Sequence, residues 1–397
     1  MNSTAPSGRP RPSGRTNEPD HRDRTADVAV VGGGIVGLAH ALAAARSGSR
    51  VVLFERDERA VGASIRNFGL VWPVGQSAAL YERAMRSRET WLDVAKRTGM
   101  WCAESGSLLA VRSPEEQAVV EEFLDSSPHA VEHGSRMMTA AEAVAASPAL
   151  RPEELRGALW SPTELNVDPR TAIPAVAELL EREYGVALRF GTAVTGIDLP
   201  GIETTEGTWR ADRAFVCSGS DFQTLFPESF DGTGVQKCKL QMMRTAAQPE
   251  GWALGPALCA GLTLLHYDSF AHCPSLAALR ARFDRDLPVQ RAEGVHVLVS
   301  QTADGRITIG DSHDYAMTHD PFEREEVDRA ILDYFEGFTG VPRPRVTERW
   351  HGIYPSIPGA RADLVHHPAP GVTVVNGLGG AGMTLSFGLA AETAATG

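Results

Sequence analysis

The stretch Ala26-Asp27-Val28-Ala29-Val30-Val31-Gly32-Gly33-Gly34-Ile35-Val36-Gly37-Leu38 decides the fold. A short β-branched run enters Gly-x-Gly-x-x-Gly, an Ala-rich helical pattern follows to about Ser47, and a second apolar run, Val51-Val52-Leu53-Phe54, ends on Glu55. The order is strand, glycine turn, helix, strand, acid. The three motif glycines do separate jobs. Gly32 makes the tight turn, Gly34 lets the backbone approach a pyrophosphate, and Gly37 lets the helix pack close to the sheet. The helix N-terminus, with Ile35 and Val36 in its first turn, offers N–H groups and a positive dipole end to phosphates. Glu55, 18 residues past Gly37, is placed to accept hydrogen bonds from a ribose, with Arg56 beside it. This opening predicts an α/β, Rossmann-like dinucleotide-binding unit.

The rest of the chain bounds what that unit serves. A net charge of −12 argues against nucleic acid or an anionic membrane as the main partner. The five cysteines are odd in number and scattered, with no Cys-x-x-Cys, so free thiols in the cytoplasm are expected rather than a disulfide framework. The most apolar stretch, residues 254–265, is too short to span a membrane and contains Pro256 and two glycines. Residues 1–25, rich in Ser, Pro, Arg and Gly without an apolar core, read as a disordered arm.

Helical patterns recur at 77–98, after Ser113-Pro114, and from the N-cap Asp168 with Pro169 in the first turn to Gly185. Strands are expected at 102–111, 186–190, 194–199 and 214–217, the last entering Ser218-Gly219. Residues 234–309 read as mostly strand, and Asp320-Pro321 as the opening of an amphipathic helix through Val327, Ile331, Phe335 and Phe338. A strand near 345–350 and another at 372–375 precede Gly377-Leu378-Gly379-Gly380-Ala381-Gly382-Met383-Thr384 and a closing helix. The expected organisation is therefore a discontinuous nucleotide-binding domain (26–76, 165–233, 345–397). A substrate domain rich in antiparallel sheet, with helical insertions (77–164, 234–344), is inserted between its pieces.

The opening motif, the mid-chain Val216-Cys217-Ser218-Gly219 and the C-terminal glycine loop resemble the FAD-dependent amine oxidoreductases of the D-amino acid oxidase, glycine oxidase and sarcosine oxidase superfamily, over nearly the whole chain after residue 25. Residues 62–76 (GASIRNFGLVWPVGQ) and 380–388 (GAGMTLSFG) are similar to a branch associated with phosphonate metabolism, whose members act on aminophosphonates related to 2-aminoethylphosphonate. The resemblance implies that Gly32, Gly34, Gly37 and Glu55 hold the ADP half of FAD and that Ser64, Arg66 and Asn67 lie by the pyrophosphate or flavin. It also implies that Val194 sits beside the adenine and that Gly379, Gly380, Ala381, Gly382, Met383 and Thr384 wrap the pyrimidine edge of the flavin. Negative charge placed there on reduction is stabilised by N–H groups at a helix start.

Two departures refine this. Relatives with covalent flavin use a late cysteine, and none follows Cys273 here, so FAD is expected to be non-covalent. Amino-acid oxidases of the family pair the substrate carboxylate with an arginine in Trp-x-Gly-x-Arg-Pro; here the stretch is Trp350-His351-Gly352-Ile353-Tyr354-Pro355, with Tyr354 at that position.

The implied reaction is hydride transfer from the amine-bearing carbon to flavin N5, giving an imine that hydrolyses to an aldehyde. Electrons then pass to O₂, with H₂O₂ formed, or to another acceptor. A neutral amine is required, and histidine is the natural proton acceptor near pH 7. His266 and His351 are the candidates, each with a structural reading beside the catalytic one, and Tyr267 is a possible hydroxyl donor. For an anionic substrate the candidates are Arg66, Arg244, Arg349 and Tyr354, although Arg66 could instead serve the pyrophosphate. No zinc-ligand spacing is present, so no metal is expected. A glycine- or sarcosine-type amino-acid oxidase is the first alternative. Ile309-Gly310-Asp311-Ser312-His313 is similar to the Gly-Asp element of NAD(P)H-dependent flavin monooxygenases, a second alternative.

Overall fold

A computed structural model describes residues 24–359 and 363–396. The expected disordered arm lies outside the described residues, apart from Arg24 and Thr25; Thr25 forms a β-bridge with Arg210.

The glycine-turn unit forms as its pattern predicts. Val28–Val31, Ile35–Arg46 and Val51–Glu55 are strand, helix and strand, and the two strands pair in parallel. They belong to a six-stranded sheet ordered Leu364–Ala369, Val372–Asn376, Arg213–Val216, Val28–Val31, Val51–Glu55, Ala187–Phe190. All of its pairs are parallel except the first. Helices cover one face and smaller elements the other, which is why Val28, Ala29 and Val30 read as an unbroken apolar run rather than an alternating one. Pro169–Tyr184 has the predicted ends: the Asp168 carboxylate accepts from the Arg170 N–H at 3.0 Å, and Gly185 closes it in the left-handed region at φ 66°.

The second sheet has nine strands. Gln236–Thr245 is its longest-range organiser, pairing with Asp314–Ala316 and Ile307–Gly310 along one edge and with Val346–Ser356 along the other. From Ile307–Gly310 the sheet continues through Leu298–Gln301, Ala257–Ala260, Ser107–Val111, Gly157–Ser161 and Arg136–Thr139. Pairing is antiparallel except between Ala257–Ala260 and Ser107–Val111.

Three placements differ from the sequence reading. Ala78–Thr98, expected with the substrate part, packs on the helical face of the first sheet; its Trp91 is fully buried there and donates its indole N–H to the Met383 carbonyl at 2.8 Å. Val346–Ser356, expected with the nucleotide-binding part, lies in the second sheet, where ten residues of Gln236–Thr245 match it in register. The amphipathic helix starts at Glu325 rather than at Asp320-Pro321. The five residues before it are held open because the Lys239 ammonium donates to the carbonyls of Asp320 and Phe322, and the Gln241 side chain takes both the N–H and the carbonyl of Arg324.

Candidate active site

A cavity of about 540 Å³ runs from the glycine turn, past the C-terminal glycine loop, into the second sheet. At its first end the backbone is too close for side chains. A Cβ on Gly37 would lie 1.9 Å from the Gly32 carbonyl oxygen, and one on Gly32, at φ 105°, would lie 2.3 Å from that of Cys217. Gly37 therefore shapes the turn without lining the cavity, whereas Gly32, Gly34, Ile35 and Val36 line it. The Glu55 carboxylate accepts from the Gly33 N–H at 2.7 Å and the Asp57 N–H at 3.0 Å, so the acid ties the end of its strand to the turn. Each oxygen keeps a further lone pair. Arg56 pairs with Asp221 at 3.1 Å, while Val194, Ser218 and Gly219 line the same end.

Midway, the Ser64 hydroxyl accepts from the Ile35 N–H at 2.9 Å. Asn67 donates to the Ala63 and Ser64 carbonyls and accepts from the Gly69 N–H, which fixes the loop that carries Arg66. Gly379–Ala381 is a 3-10 turn leading into the helix Gly382–Thr396, and residues 379–384 line the cavity as a helix start should for a group gaining negative charge. The Thr384 hydroxyl accepts from the Trp72 N–H at 2.9 Å and so joins this loop to the aromatic wall. An elongated cavity with a close-packed glycine turn, an acid and a helix start at one end, and a second helix start midway, fits FAD.

Beyond that point the wall changes character. Trp72 and Tyr267 stack with ring centroids 6.1 Å apart, and Tyr354 is buried with its hydroxyl 3.5 Å from where a Cβ on Gly380 would lie. Behind them are three histidines. The His266 and His296 rings stack at 3.8 Å, those of His296 and His313 at 5.0 Å, and those of His266 and His313 meet at 4.5 Å. His266 is open, but its open side faces the cavity. Burial, reinforced by the neighbouring imidazoles, holds His266 and His296 well below the ordinary histidine range; burial brings His313 to about 4. Asp311 joins the cluster, its Oδ1 3.5 Å from His296 Nε2, and burial pushes its carboxyl well above the usual range. Burial also raises the Tyr267 and Tyr354 hydroxyls.

Of the residues singled out in the sequence, His266, Tyr267, Tyr354 and Arg66 line the cavity. Three others do not, which corrects the reading. Arg244 is buried within the second sheet, donating to Thr302 at 2.5 Å and to Asp304 at 3.1 Å. Arg349 is bonded to Asp328 at 2.7 Å. His351 binds Glu323 at 3.1 Å and lines a separate groove, because alternate residues of Val346–Ser356 face opposite sides and Tyr354 takes the cavity side. Arg66 is held toward that groove too, donating to the His351 carbonyl at 3.1 Å.

His296, Asp311 and His313 were not among the candidates. Asp311 and His313 stood in the Gly-Asp stretch read for another enzyme class. His296 carried no signal, being one polar residue in Val295-His296-Val297. The expectation of no metal-ligand set rested on spacing along the chain, whereas these three histidines offer ring nitrogens within 4.8 Å of one another.

Comparison with known proteins shows the family and the fold. The family described as FAD dependent oxidoreductase matches residues 27–396. A glycine oxidase from Geobacillus kaustophilus is 29% identical over 207 residues, 49% of this chain and 54% of the relative. An anaerobic glycerol-3-phosphate dehydrogenase polypeptide from Escherichia coli is 28% identical over 174 residues, 44% of this chain and 32% of the relative. These alignments thus span about half and a third of the relatives' lengths. Among solved structures, an L-proline dehydrogenase from P. horikoshii superposes with a TM-score of 0.75 at 20% identity, covering 94% of this chain and 92% of the other. The G. kaustophilus glycine oxidase gives 0.72 at 21%, covering 94% of each. At these identities the likeness is one of fold. No helix among the described residues is long and apolar enough to cross a membrane.

Proposed function

The chain belongs to the FAD dependent oxidoreductase family, and from that premise we propose that it oxidises a small amine bearing an acid group, with the acid group seated at the histidine end of the cavity. FAD, bound non-covalently along the glycine turn and the 379–384 loop, supplies the two-electron acceptor. The chain's own residues do the rest. Trp72, Tyr267 and Tyr354 wall the amine-bearing carbon off from water. The histidine cluster orients the acid group. Water hydrolyses the imine product to an aldehyde and releases the nitrogen as ammonia or an amine, and O₂, reduced to H₂O₂, is the acceptor we favour.

The observation that carries this reading is the histidine cluster at a place where the arginine of carboxylate-binding relatives is replaced by Tyr354. A carboxylate is matched by one guanidinium fork. Tyr354 supplies no such fork, so within this class we favour an aminophosphonate over an amino acid. The identity with a glycine oxidase supports the second reading, an amino-acid oxidase. The five free cysteines support a reducing compartment, and we place the protein in the cytoplasm.

Anaerobic flavin bleaching tests this with a panel of 2-aminoethylphosphonate, its N-methyl and 1-hydroxy forms, glycine, sarcosine and D-alanine. Bleaching by an aminophosphonate alone is expected. Bleaching by glycine or sarcosine at equal or lower concentration would replace the first reading by the second. Rapid NADPH oxidation would remove both in favour of a monooxygenase.

A further inference from the structure

An acid group at the inner end of the cavity needs a counter-charge, and among the described residues only two cationic side chains, Arg56 and Arg66, line the cavity. Arg56 pairs with Asp221, and Arg66 donates one N–H to the His351 carbonyl, toward the neighbouring groove.

The cluster does have the features of a cation site. His313 Nδ1 is 3.0 Å from the Gly294 carbonyl, a bond that fixes its tautomer and leaves Nε2 with a free lone pair. His296 Nδ1 and Asp311 Oδ1 are buried without a hydrogen-bond partner. Asp311 Oδ1 also lies 3.9 Å from the His313 ring. The three ring nitrogens lie within 4.8 Å of one another; tetrahedral coordination with bonds of about 2.0–2.1 Å sets them about 3.4 Å apart, so the rings have to turn from their present stacking to converge on one ion. The positions are rigid: the backbones of His296 and Asp311 exchange hydrogen bonds of 2.9 and 3.2 Å, and His313 stands just before Asp314–Ala316.

We propose that His266, His296 and His313, with Asp311 beside them, bind one divalent transition metal ion, whose open position takes an oxygen of the substrate's acid group. The second half of this proposal rests on the function proposed above; the first does not. Three imidazoles and a carboxylate select an ion of the Zn²⁺, Fe²⁺, Co²⁺ or Ni²⁺ type over Ca²⁺ or Mg²⁺. The metal brings the positive charge without any histidine having to hold a proton.

The test is calorimetric titration of the FAD-loaded protein, stripped with a chelator, with Zn²⁺ and separately with Co²⁺. One ion per chain is expected. The variants His296→Gln, His313→Gln and His266→Gln should each weaken binding at least about tenfold while keeping the flavin spectrum. His266→Gln is the safeguard against misfolding, because that ring opens on the cavity. Absence of saturable binding, or binding unchanged in all three variants, overturns the site. Stripping the metal should also raise the amine concentration needed for half-maximal bleaching at least about tenfold. Metal binding with bleaching unaffected would overturn the anion-capture half. Metal binding with no amine bleaching the flavin would leave the site standing and overturn the function proposed above.

Discussion

Glu55 offers a direct measure of how the nucleotide end works. Its carboxylate already holds the Gly33 and Asp57 N–H groups, and its remaining lone pairs face the cavity where a ribose would lie. Gly33 is buried and Asp57 exposed, so water replaces the carboxylate only at Asp57, and Glu55→Ala should cost the fold about 1–3 kcal/mol for the Gly33 N–H left unsatisfied. The cofactor has no such substitute. A hydrogen bond to a charged acceptor contributes about 1.5–3 kcal/mol, which corresponds to roughly 10- to 150-fold in Kd. Glu55→Gln keeps one acceptor oxygen for Gly33 but turns an amide N–H toward the Asp57 N–H, so a loss of about tenfold or less is expected. The assay is titration of apoprotein with FAD, followed by quenching of flavin fluorescence, beside a thermal melt of each variant. An unchanged Kd for Glu55→Ala would refute this account, since the carboxylate would then serve only the glycine turn. A melt lowered as much as that of a core variant would refute the assumption that the turn survives without it.

Gly37→Ala should fail differently: a Cβ 1.9 Å from the Gly32 carbonyl oxygen has only backbone to displace, so about 3 kcal/mol or more of stability should go together with FAD content in purified protein. Arg349→Met, outside the cavity and bonded to Asp328, should leave kcat/KM for the best amine within about twofold, and a tenfold loss would return Arg349 to the site. Tyr354→Arg should raise the kcat/KM for glycine relative to an aminophosphonate by about tenfold or more, read by oxygen uptake, because it restores a carboxylate fork beside the Gly380 loop. Glu164 is buried and accepts from the Val74 N–H and the Ser107 and Thr163 hydroxyls, so Glu164→Ala should cost about 1–3 kcal/mol for each donor left unsatisfied. Burial raises the Glu164 carboxyl in the folded state, which makes its ionised form a cost that grows as pH rises above the ordinary carboxylate range. Glu164→Gln should therefore gain on the wild type in denaturant midpoint as pH increases from about 4 to 7.

The local devices of this molecule were legible in its sequence and the histidine end of the cavity was not, and the reason is distance along the chain. The turn Gly32–Gly37 and the cap pair Asp168 and Gly185 are local devices, in which the residue type and its neighbours already contain the geometry. The C-terminal glycine loop is of the same kind. The histidine cluster is the opposite case. His266 follows a 3-10 turn, His296 precedes one strand and His313 another, and only the antiparallel return of Leu298–Gln301 against Ile307–Gly310 brings the last two together. Spacing rules for metal ligands presume a single helix or hairpin and are blind to this arrangement.

The same reasoning explains Arg349, whereas Arg244 shares the strand face of Cys238 and Leu240 and lies farther along it, bonded to Thr302 and Asp304. Arg244 and Arg349 lie on neighbouring strands of the second sheet, so residue type alone made each a plausible anion partner. Which face a side chain takes is set by register, and register here follows from the long pairing of Gln236–Thr245 with Val346–Ser356. That register sends Tyr354 into the cavity and His351, three residues earlier, to the groove on the other side. A cavity whose only arginines among the described residues are Arg56, paired with Asp221, and Arg66, turned toward the neighbouring groove, yet which holds three imidazoles and a carboxyl oxygen without a hydrogen-bond partner, is suited to take positive charge from a bound ion. That suitability links the choice of substrate to the proposed metal: an amine without an acid group would need neither the cluster nor the ion, and its oxidation should be indifferent to both.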